Sequence, residues 1–238
     1  MRVVLLRVGI DMGEGGINGP LFADGGFEFL PIPDSRGLDD RTYGNTRGRS
    51  GRLLVEYFPD RLRSTREVQS MHVDPEFDTC TYGDPTRPKG RLRELQLGDL
   101  LVFYAGLSTW PYDHTPAGLY IVGYFEVVVA GVAPSFSEAE IQEHFGRNFH
   151  VRHEGLYQKQ RATLVLVRGG PGSRLLNKAA LISERGSDRS GRPLHVISRP
   201  MREVFGDWEG RISLQRSPPR WVDPARTTAA AAFVRSLP

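Results

Sequence analysis

The chain contains one cysteine, Cys80, among its 238 residues, which excludes an internal disulfide and any metal site built from cysteines alone. No run of about 18 apolar residues occurs, so we predict no membrane-spanning segment and no membrane partner. The glycine-rich stretch "GEGGINGP" lacks the GxxxxGK[ST] pattern, and no lysine precedes Lys89, which argues against a nucleoside-triphosphate loop. A Gly-x-Ser-x-Gly nucleophile elbow is absent too.

What is present is typical of a folded globular protein, with 39% hydrophobic and 25% charged residues. The first residues, "MRVVLLRVGIDMG", are interrupted by Arg7 and carry no small-residue cleavage site, so we interpret them as a first strand rather than a signal peptide. We therefore expect a cytoplasmic location. No linker divides the chain clearly, and we predict a single domain over residues 1–238.

The net charge of +3 hides an uneven distribution. Residues 151–238 carry 16 Lys and Arg against 7 Asp and Glu, whereas residues 1–150 carry 15 against 21. A basic C-terminal third on a slightly acidic body suggests a polyanionic partner on one face. A solubilising, arginine-rich surface would give the same composition.

The apolar patterns predict a mostly β protein of the α+β class. Predicted strands cover residues 2–8, 26–33, 53–58, 99–106, 119–131, 161–169, 194–198 and 211–217. A capping box, Ser137 with Glu140, predicts a helix over residues 135–146, and a peripheral helix is predicted over residues 224–237. Residues 9–26 and 34–52 are long glycine-rich loops, a length that usually indicates function or disorder.

Two successive apolar segments, "LGDLLVFYAGL" and "GLYIVGYFEVV", resemble the PUA-like group of small β-barrels, which includes the EVE, ASCH and YTH modules. That resemblance implies a mixed β-barrel with long loop insertions and a few peripheral helices. Its core would include residues 95–170, elaborated by the N-terminal and C-terminal segments. Modules of this group bind RNA or DNA, often by taking a modified base into an aromatic-lined pocket.

A wider set of motifs occurs in the order "GIDMGEGG", "PLFADGGFEFLPIPD", "HVDPEF", "TYGDP", "LGDLLVFYAGL" and "QRSPPRWV". Together they resemble the nucleotide modification associated domain, type three, a family named for gene neighbourhoods with base modification systems. The resemblance implies a nucleotide or nucleic-acid partner, with DNA favoured, and partner proteins of a modification or defence system. The family's polar loops would correspond here to Asp11, Asp34, Asp74, Glu76, Tyr82 and Gly83.

The polar stretch "HVDPEFDTCTYGDP" precedes a strongly apolar strand and offers what a nucleobase needs. Carboxylates can accept from an exocyclic amino group, and an aromatic face can stack on a base. The predicted base-binding residues are Tyr82, Gly83, Tyr104, Gly106 and Trp110. The structural alternative is that Asp74 caps a turn and Tyr82 packs on the barrel.

Arginines near aromatic residues are the candidates for phosphate contacts. In "QRSPPRWV" these are Arg216 and Arg220, with Trp221 favoured as a core residue, and in "HFGRNFHVRH" they are Arg147 and Arg152. Together with the base-binding candidates they predict a protein that binds a nucleotide, a modified base or a nucleic acid.

Two enzymatic alternatives stay open. Two or more of Asp11, Asp34, Asp74 and Glu76 could converge as a general base or electrostatic stabiliser of base modification, with one pKa raised by burial. A metal nuclease is the other, since Glu140, His144, His150 and His153 are spaced as potential ligands. Because "NFHVRH" is interpreted as irregular or extended chain, we predict no metal and no cofactor. A Cys80–His72 nucleophile is a minor hypothesis.

Overall fold

The computed structural model describes residues 1–112, 117–188, 190–214 and 218–238. These residues form a mixed α+β structure that is mostly sheet, with a few helices, as the sequence predicts. None of their helices is both long enough and apolar enough to cross a membrane.

The regular elements are numbered here in chain order. The strands are β1 Val3–Arg7, β2 Gly19–Leu21, β3 Ile32–Pro33, β4 Met71–His72, β5 Thr81–Asp84, β6 Leu100–Thr109, β7 Gly118–Val132, β8 Val165–Gly169, β9 Arg174–Leu181, β10 Ser183–Ser187, β11 Pro193–Ile197 and β12 Arg220–Trp221. The α-helices are α1 Asp60–Glu67, α2 Glu138–Phe145, α3 Phe149–Arg152, α4 Glu154–Gln160, α5 Arg199–Phe205 and α6 Thr227–Ser236. Short 3-10 helices cover Leu54–Tyr57, Arg87–Glu94, Ala133–Ser135 and Pro224–Arg226.

The main sheet is organised around β6 and β7, the two longest strands. Its strand order is β12-β1-β6-β7-β8-β5, with β2 also pairing with β6 and β9 with β7. β1 runs parallel to β6, while β6 and β7 are antiparallel. The first half of β7 pairs with β9 and the second half with β8. Strands β1 and β6 are almost continuously apolar because both of their faces are covered.

The pairing of the described strands does not close into a barrel. β12 and β5 lie at opposite ends of the hydrogen-bonded path. The mixed, mostly β class is therefore confirmed, whereas the predicted PUA-like barrel is not. The predicted single domain over residues 1–238 stays a prediction.

Most of the predicted core strands are confirmed, but two segments adopt helical structure instead. Residues 53–58 were expected to form a strand, yet they contain the 3-10 helix Leu54–Tyr57, which buries those two side chains three residues apart. Residues 149–152 form α3, where extended or irregular chain was predicted. There the side chain of Asn148 accepts the backbone N–H of His150, a cap that permits a single helical turn.

The helix predicted over residues 135–146 is confirmed as α2, and its capping box is present as predicted. The Ser137 hydroxyl accepts from the Glu140 N–H, and the Glu140 carboxylate accepts from the Ser137 N–H at 2.8 Å. In the predicted strand over residues 211–217, Ser213 forms an isolated bridge with Val196, and residues 215–217 lie outside the described part.

The interior consists of three apolar clusters. The largest covers both faces of the main sheet. A second lies beneath the N-terminal loops and a third beneath α2 and α3. The short strand β4 leads from the second cluster towards β5 and α3, and this path is where the candidate site is found.

Candidate functional site

Residues 71–75 form a wall between two cavities, and neighbouring side chains point to opposite sides of it. His72 and Asp74 line what we call the central cavity, of about 480 Å³. Met71, Val73 and Pro75 line the neighbouring cavity, of about 550 Å³. This alternation is that of an extended chain. The wall of the central cavity includes Arg7, Asp11, Arg36, His72, Asp74, Tyr82, Gly83, Lys89, His150 and Gln160.

Three of these side chains, which we call the His72–Asp74–His150 cluster, meet at one point of the wall. His150 Nε2 lies 3.1 Å from His72 Nε2 and 3.3 Å from Asp74 Oδ2. The cluster is nearly dry, since the side chains of His150 and Asp74 are 3% and 4% exposed. Among the described residues, these three offer ligand atoms that all lie within 4.8 Å of one another.

Neighbouring elements hold the cluster in place. Gly83 of β5 donates its N–H to Asp74 Oδ2 at 2.9 Å, and a Cβ on Gly83 would come within 2.9 Å of both the His150 ring and the Asn148 side chain. The space above this glycine is thus filled by His150, where the sequence suggested a planar ligand. His72 stacks on Phe149, with ring centroids 4.2 Å apart and an interplanar angle of 18°.

The far side of the His150 ring is also held. Its Nδ1 lies 2.7 Å from Oε1 of Gln160, the last residue of α4. Because this oxygen can only accept, Nδ1 carries a proton. In the neutral ring, the lone pair of Nε2 is then directed at His72 and Asp74.

Burial dominates the electrostatics of the cluster. It raises the pKa of the Asp74 carboxyl to about 7, and with the neighbouring His150 it lowers the pKa of His72 to about 3. Burial alone would lower the pKa of His150, but the hydrogen bond and charge of Asp74 outweigh it, and the pKa is raised. Asp74 Oδ1 is buried and has no hydrogen-bond partner among the described residues.

Asp11 also lines the central cavity, at the start of the first glycine-rich loop. Its Oδ1 accepts the N–H groups of Gly13 and Glu14, at 2.7 and 3.0 Å, which explains the tight turn after β1. Its Oδ2 accepts from Arg7 Nη2 at 3.1 Å. The other terminal nitrogen of Arg7, Nη1, is buried without a partner among the described residues.

Two further cations edge the same cavity, and each is bonded to a carboxylate. Lys89 Nζ lies 3.2 Å from Asp84 Oδ2, and Arg36 Nε lies 2.8 Å from Asp34 Oδ1. Asp34 also accepts the N–H of Leu38, so it stabilises its own loop and does not line the cavity. Burial would raise the pKa of Asp34, but the bond to Arg36 and that N–H lower it.

Glu76 lies in the wall of the neighbouring cavity and does not reach the central one. Arg152 donates to Glu76 Oε1 and to Asp39 Oδ2 at once, and Arg41 lies 2.7 Å from the same Asp39 oxygen. Arg152 therefore joins two buried carboxylates. Arg147 lines this neighbouring cavity too, and its backbone carbonyl accepts from Arg152.

The predicted base-binding residues are not all brought together. Tyr82 lines the central cavity, but its ring is buried against Phe103 and its hydroxyl donates to Asp84 at 3.0 Å, as the structural alternative expected. Tyr104 is fully buried and donates to the Leu214 carbonyl at 3.0 Å. Trp110 packs edge-on against Tyr57 in the second apolar cluster.

Gly106 lines a separate cavity of about 220 Å³ that shares Arg7 and Asp11 with the central one. A Cβ there would lie 2.8 Å from the Asn18 side-chain oxygen. The close approach at this glycine is therefore made by the protein's own loop.

Arg220 lies in a fourth cavity, of about 820 Å³, which we call the arginine groove. Its lining includes Arg91, Arg199, Arg202, Arg211, Arg220 and Arg226, with Trp208 and Trp221 and four acidic residues. Arg220 lies over the Trp208 ring at 5.5 Å, and Arg91 lies over Trp221 at 4.6 Å. Arg216 lies outside the described residues.

The potential metal ligands chosen from the sequence do not meet. Glu140 belongs to the α2 capping box, and His144 Nδ1 lies 3.3 Å from Arg168. Only His150 of that set joins a ligand cluster within the described residues, and its partners are residues the sequence placed in a different motif. The available signal was the His-x-Asp spacing of "HVDPEF", which directs both side chains to one face of an extended chain.

Cys80 is not paired with His72. Its Sγ donates to the Phe77 carbonyl at 3.4 Å, and burial raises the pKa of the thiol, which disfavours a nucleophilic thiolate.

The chain matches the family model of nucleotide modification associated domain 3 over residues 2–235, and it therefore belongs to that family. This confirms the resemblance drawn from the ordered motifs. No curated protein and no solved structure matches the chain.

Proposed function

We propose that this protein binds a nucleotide, or one nucleotide of a nucleic acid, in the central cavity and serves a base modification or defence system. The supporting observation is that two segments far apart in the chain line one cavity of about 480 Å³: the first glycine-rich loop with Asp11, and the stretch that contains Asp74, Tyr82 and Gly83. That size falls within the roughly 300–1,000 Å³ of small-molecule sites. Membership of a nucleotide modification associated family supports the same ligand class.

The polar groups of the cavity suit such a ligand. Arg7, Arg36 and Lys89 can contact phosphate oxygens, and an arginine fork binds them bidentately. Arg7 is the leading candidate because its Nη1 has no partner among the described residues. The carboxylates of Asp11 and Asp74 can accept from an exocyclic amino group of a base.

The arginine groove is the proposed site for the phosphate backbone of a longer nucleic acid, with DNA favoured. Its six arginines outnumber its four acids, and Trp208 and Trp221 offer ring faces. The resemblance of β6 and β7 to PUA-like modules, which bind RNA or DNA and often take up a modified base, supports this division between base and backbone.

The test is a calorimetric titration with the four deoxynucleoside monophosphates and their ribose counterparts, in a buffer containing a chelator. Wild type is compared with Arg7→Gln and with the matched control Arg93→Gln, which changes an exposed arginine that does not line the cavity. We expect Arg7→Gln to weaken binding about tenfold, because a charge-assisted hydrogen bond is lost, and Arg93→Gln to have no effect.

Binding of every nucleotide weaker than millimolar, or equal losses in the two variants, would contradict the proposal. Filter binding of DNA and RNA at two salt concentrations tests the groove in parallel. Affinity that does not fall with salt would exclude phosphate contacts there.

A second candidate is an enzyme of base modification, favoured by one observation. Asp74 is a buried carboxyl with a pKa raised to about 7 and an oxygen without a partner, the properties of a general acid or base. We expect Asp74→Asn to abolish modified-base formation in a reconstituted system, even at nucleotide concentrations high enough to saturate any weakened binding. An unaltered product would exclude this role for Asp74. Cleavage of plain DNA with Mg²⁺ or Mn²⁺ would instead support the metal nuclease.

A further inference from the structure

We propose that the His72–Asp74–His150 cluster is a binding site for a divalent first-row transition ion, held by the two Nε2 atoms and one Asp74 oxygen. This site goes beyond nucleotide binding and does not depend on it. Two imidazoles and one carboxylate are a ligand set used for catalytic Zn²⁺ and for non-haem Fe²⁺.

The distances fit an ion. Two ligand atoms bonded to one ion at about 2.1 Å lie about 3.0 Å apart at a right angle and about 3.4 Å apart at the tetrahedral angle. The two pairs that His150 Nε2 makes, 3.1 Å to His72 and 3.3 Å to Asp74, lie within that range. All three ligand atoms lie within 4.8 Å of one another. Each of them would therefore need to move by less than about 1 Å for all three to bind one ion.

The surrounding contacts are those of a metal site. Gln160 accepts from Nδ1 of His150 and so leaves the Nε2 lone pair directed at the cluster, the outer-shell arrangement typical of metal-ligating histidines. The Gly83 N–H orients Asp74, and Phe149 holds the His72 ring by stacking. Asp74 Oδ1 is nearly dry and without a partner in the described part of the chain, so the negative charge of this carboxylate is poorly compensated, and a cation bound to Oδ2 would supply the missing opposite charge.

The site would keep open positions, because all three ligands lie on the wall of the central cavity. An ion there would have three protein ligands and face the cavity with its remaining positions, as catalytic metal sites do. A nucleotide or a water bound in the cavity could occupy them.

A shared proton is the competing explanation. A protonated His150 could donate from Nε2 to Asp74 and His72 together, and it would need no metal. Metal and proton cannot occupy the same Nε2, so a titration with metal separates the two.

The experiment uses the full chain, stripped by a chelator, freed of it by dialysis and kept without nucleotide. Co²⁺ is titrated while its visible d–d absorption is recorded, and Zn²⁺ and anaerobic Fe²⁺ are then added as competitors. We expect one equivalent of Co²⁺ per chain, loss of the absorption when a competitor displaces it, and a higher Tm of the loaded protein. A wild-type protein that takes up no Co²⁺ overturns the proposal in favour of the shared proton.

Variants locate the site. We expect His72→Gln and Asp74→Asn each to weaken Co²⁺ binding more than about 100-fold, and Gln160→Met, which removes only the outer contact, to weaken it about 10–100-fold. His144→Gln, on α2, is the matched control and should bind as wild type does. Gln160 is partly exposed, so its variant keeps the test valid if the buried variants fail to fold.

Stoichiometric Co²⁺ binding that persists unchanged in all three variants, or is lost in His144→Gln, overturns the assignment. Since the nucleotide titrations contain a chelator and the metal titration contains no nucleotide, either proposal can fail while the other stands.

Discussion

Charged side chains are paired and exposed differently in the walls of the central and neighbouring cavities than in the arginine groove. In the cavity walls, Arg7, Arg36 and Arg152 each bond to a carboxylate, and several of these carboxylates are nearly dry. In the groove, Arg211 and Glu209 lie 3.9 Å apart with side chains 74% and 89% exposed. The cavity charges are directed inward at protein partners, and much of the groove's charge is directed at solvent.

This difference separates two tasks. Buried, paired charges define geometry, because removing one partner leaves the other desolvated. Exposed charges contribute little to stability but attract a polyanion over a distance set by ionic strength. A substitution in the cavity walls should therefore change the free energy of unfolding or the affinity for a ligand. A substitution in the groove should change the salt dependence of nucleic-acid binding.

The largest effect is expected for Arg152→Met. Asp39 and Glu76 would lose the cation that joins them, with side chains only 9% and 6% exposed, and Arg41 could compensate only in part. We expect the free energy of unfolding to fall by about 3 kcal/mol, measured by urea denaturation. Arg147→Met, an exposed neighbour, should change it by less than about 0.5 kcal/mol. Equal effects would erase the distinction between paired and solvent-facing arginines.

A second large effect is expected for Gly83→Ala. The added Cβ would lie 2.9 Å from both the His150 ring and the Asn148 oxygen, so one of them must move. We expect a loss of about 2 kcal/mol from overpacking, together with weaker Co²⁺ and nucleotide binding. Gly90→Ala, where the Cβ meets no atom within 4 Å, is the control. Unchanged ligand binding in Gly83→Ala would show that His150 is not held against β5.

Lowering the pH should destabilise the protein by protonating Asp39, which lies in the wall of the neighbouring cavity. Burial would raise the pKa of this carboxyl, but its bonds to Arg41 and Arg152 outweigh burial and place the pKa well below the ordinary 3.8. A lowered folded-state pKa gives stability that is complete above about pH 5 and is lost as pH falls through the folded value. We expect this contribution to be about 1–2 kcal/mol. In thermal melts from pH 7 down to pH 2, Asp39→Asn should lose less stability than wild type, and parallel curves would refute the assignment.

Substitutions in the arginine groove should have the smallest effect on the free energy of unfolding and the clearest effect on nucleic-acid binding. Arg199→Gln with Arg211→Gln should change the free energy of unfolding by less than about 0.5 kcal/mol. The slope of log affinity for duplex DNA against log salt should become less negative by about 1.8, since about 0.9 is expected per phosphate contact. The exposed pair Arg61→Gln with Arg93→Gln should leave the slope unchanged. If the groove variant kept the wild-type slope, the DNA phosphates would contact a different part of the protein.

The sequence predicted the local elements where a single pattern dominated. The apolar runs of β1, β6 and β7 and the capping box of α2 are strong local signals, and each is confirmed. It was wrong for residues 53–58 and 149–152, where short helical turns are stabilised by burial and by the Asn148 cap. A single turn has too few residues for its period to be visible.

Within the candidate site, the sequence singled out the loop containing Asp74, Tyr82 and Gly83, and these residues do share a cavity. It did not predict that Tyr104 would be turned into the core, towards Leu214, or that Glu76 would join the ion pairs of Arg152. The direction of a strand side chain depends on which face the neighbouring elements cover, and an isolated strand carries little of that information.

Composition and the ordered motifs predicted the family and the mostly β class, and the spacing of "HVDPEF" contains the signal that places His72 and Asp74 on one face. Only the tertiary structure decided that His150, 78 residues further along the chain than His72, would complete that face. Local patterns follow from chain geometry, which the sequence specifies directly. Contacts between distant segments depend on how α3 packs against β5 and on a glycine that leaves room for an imidazole ring.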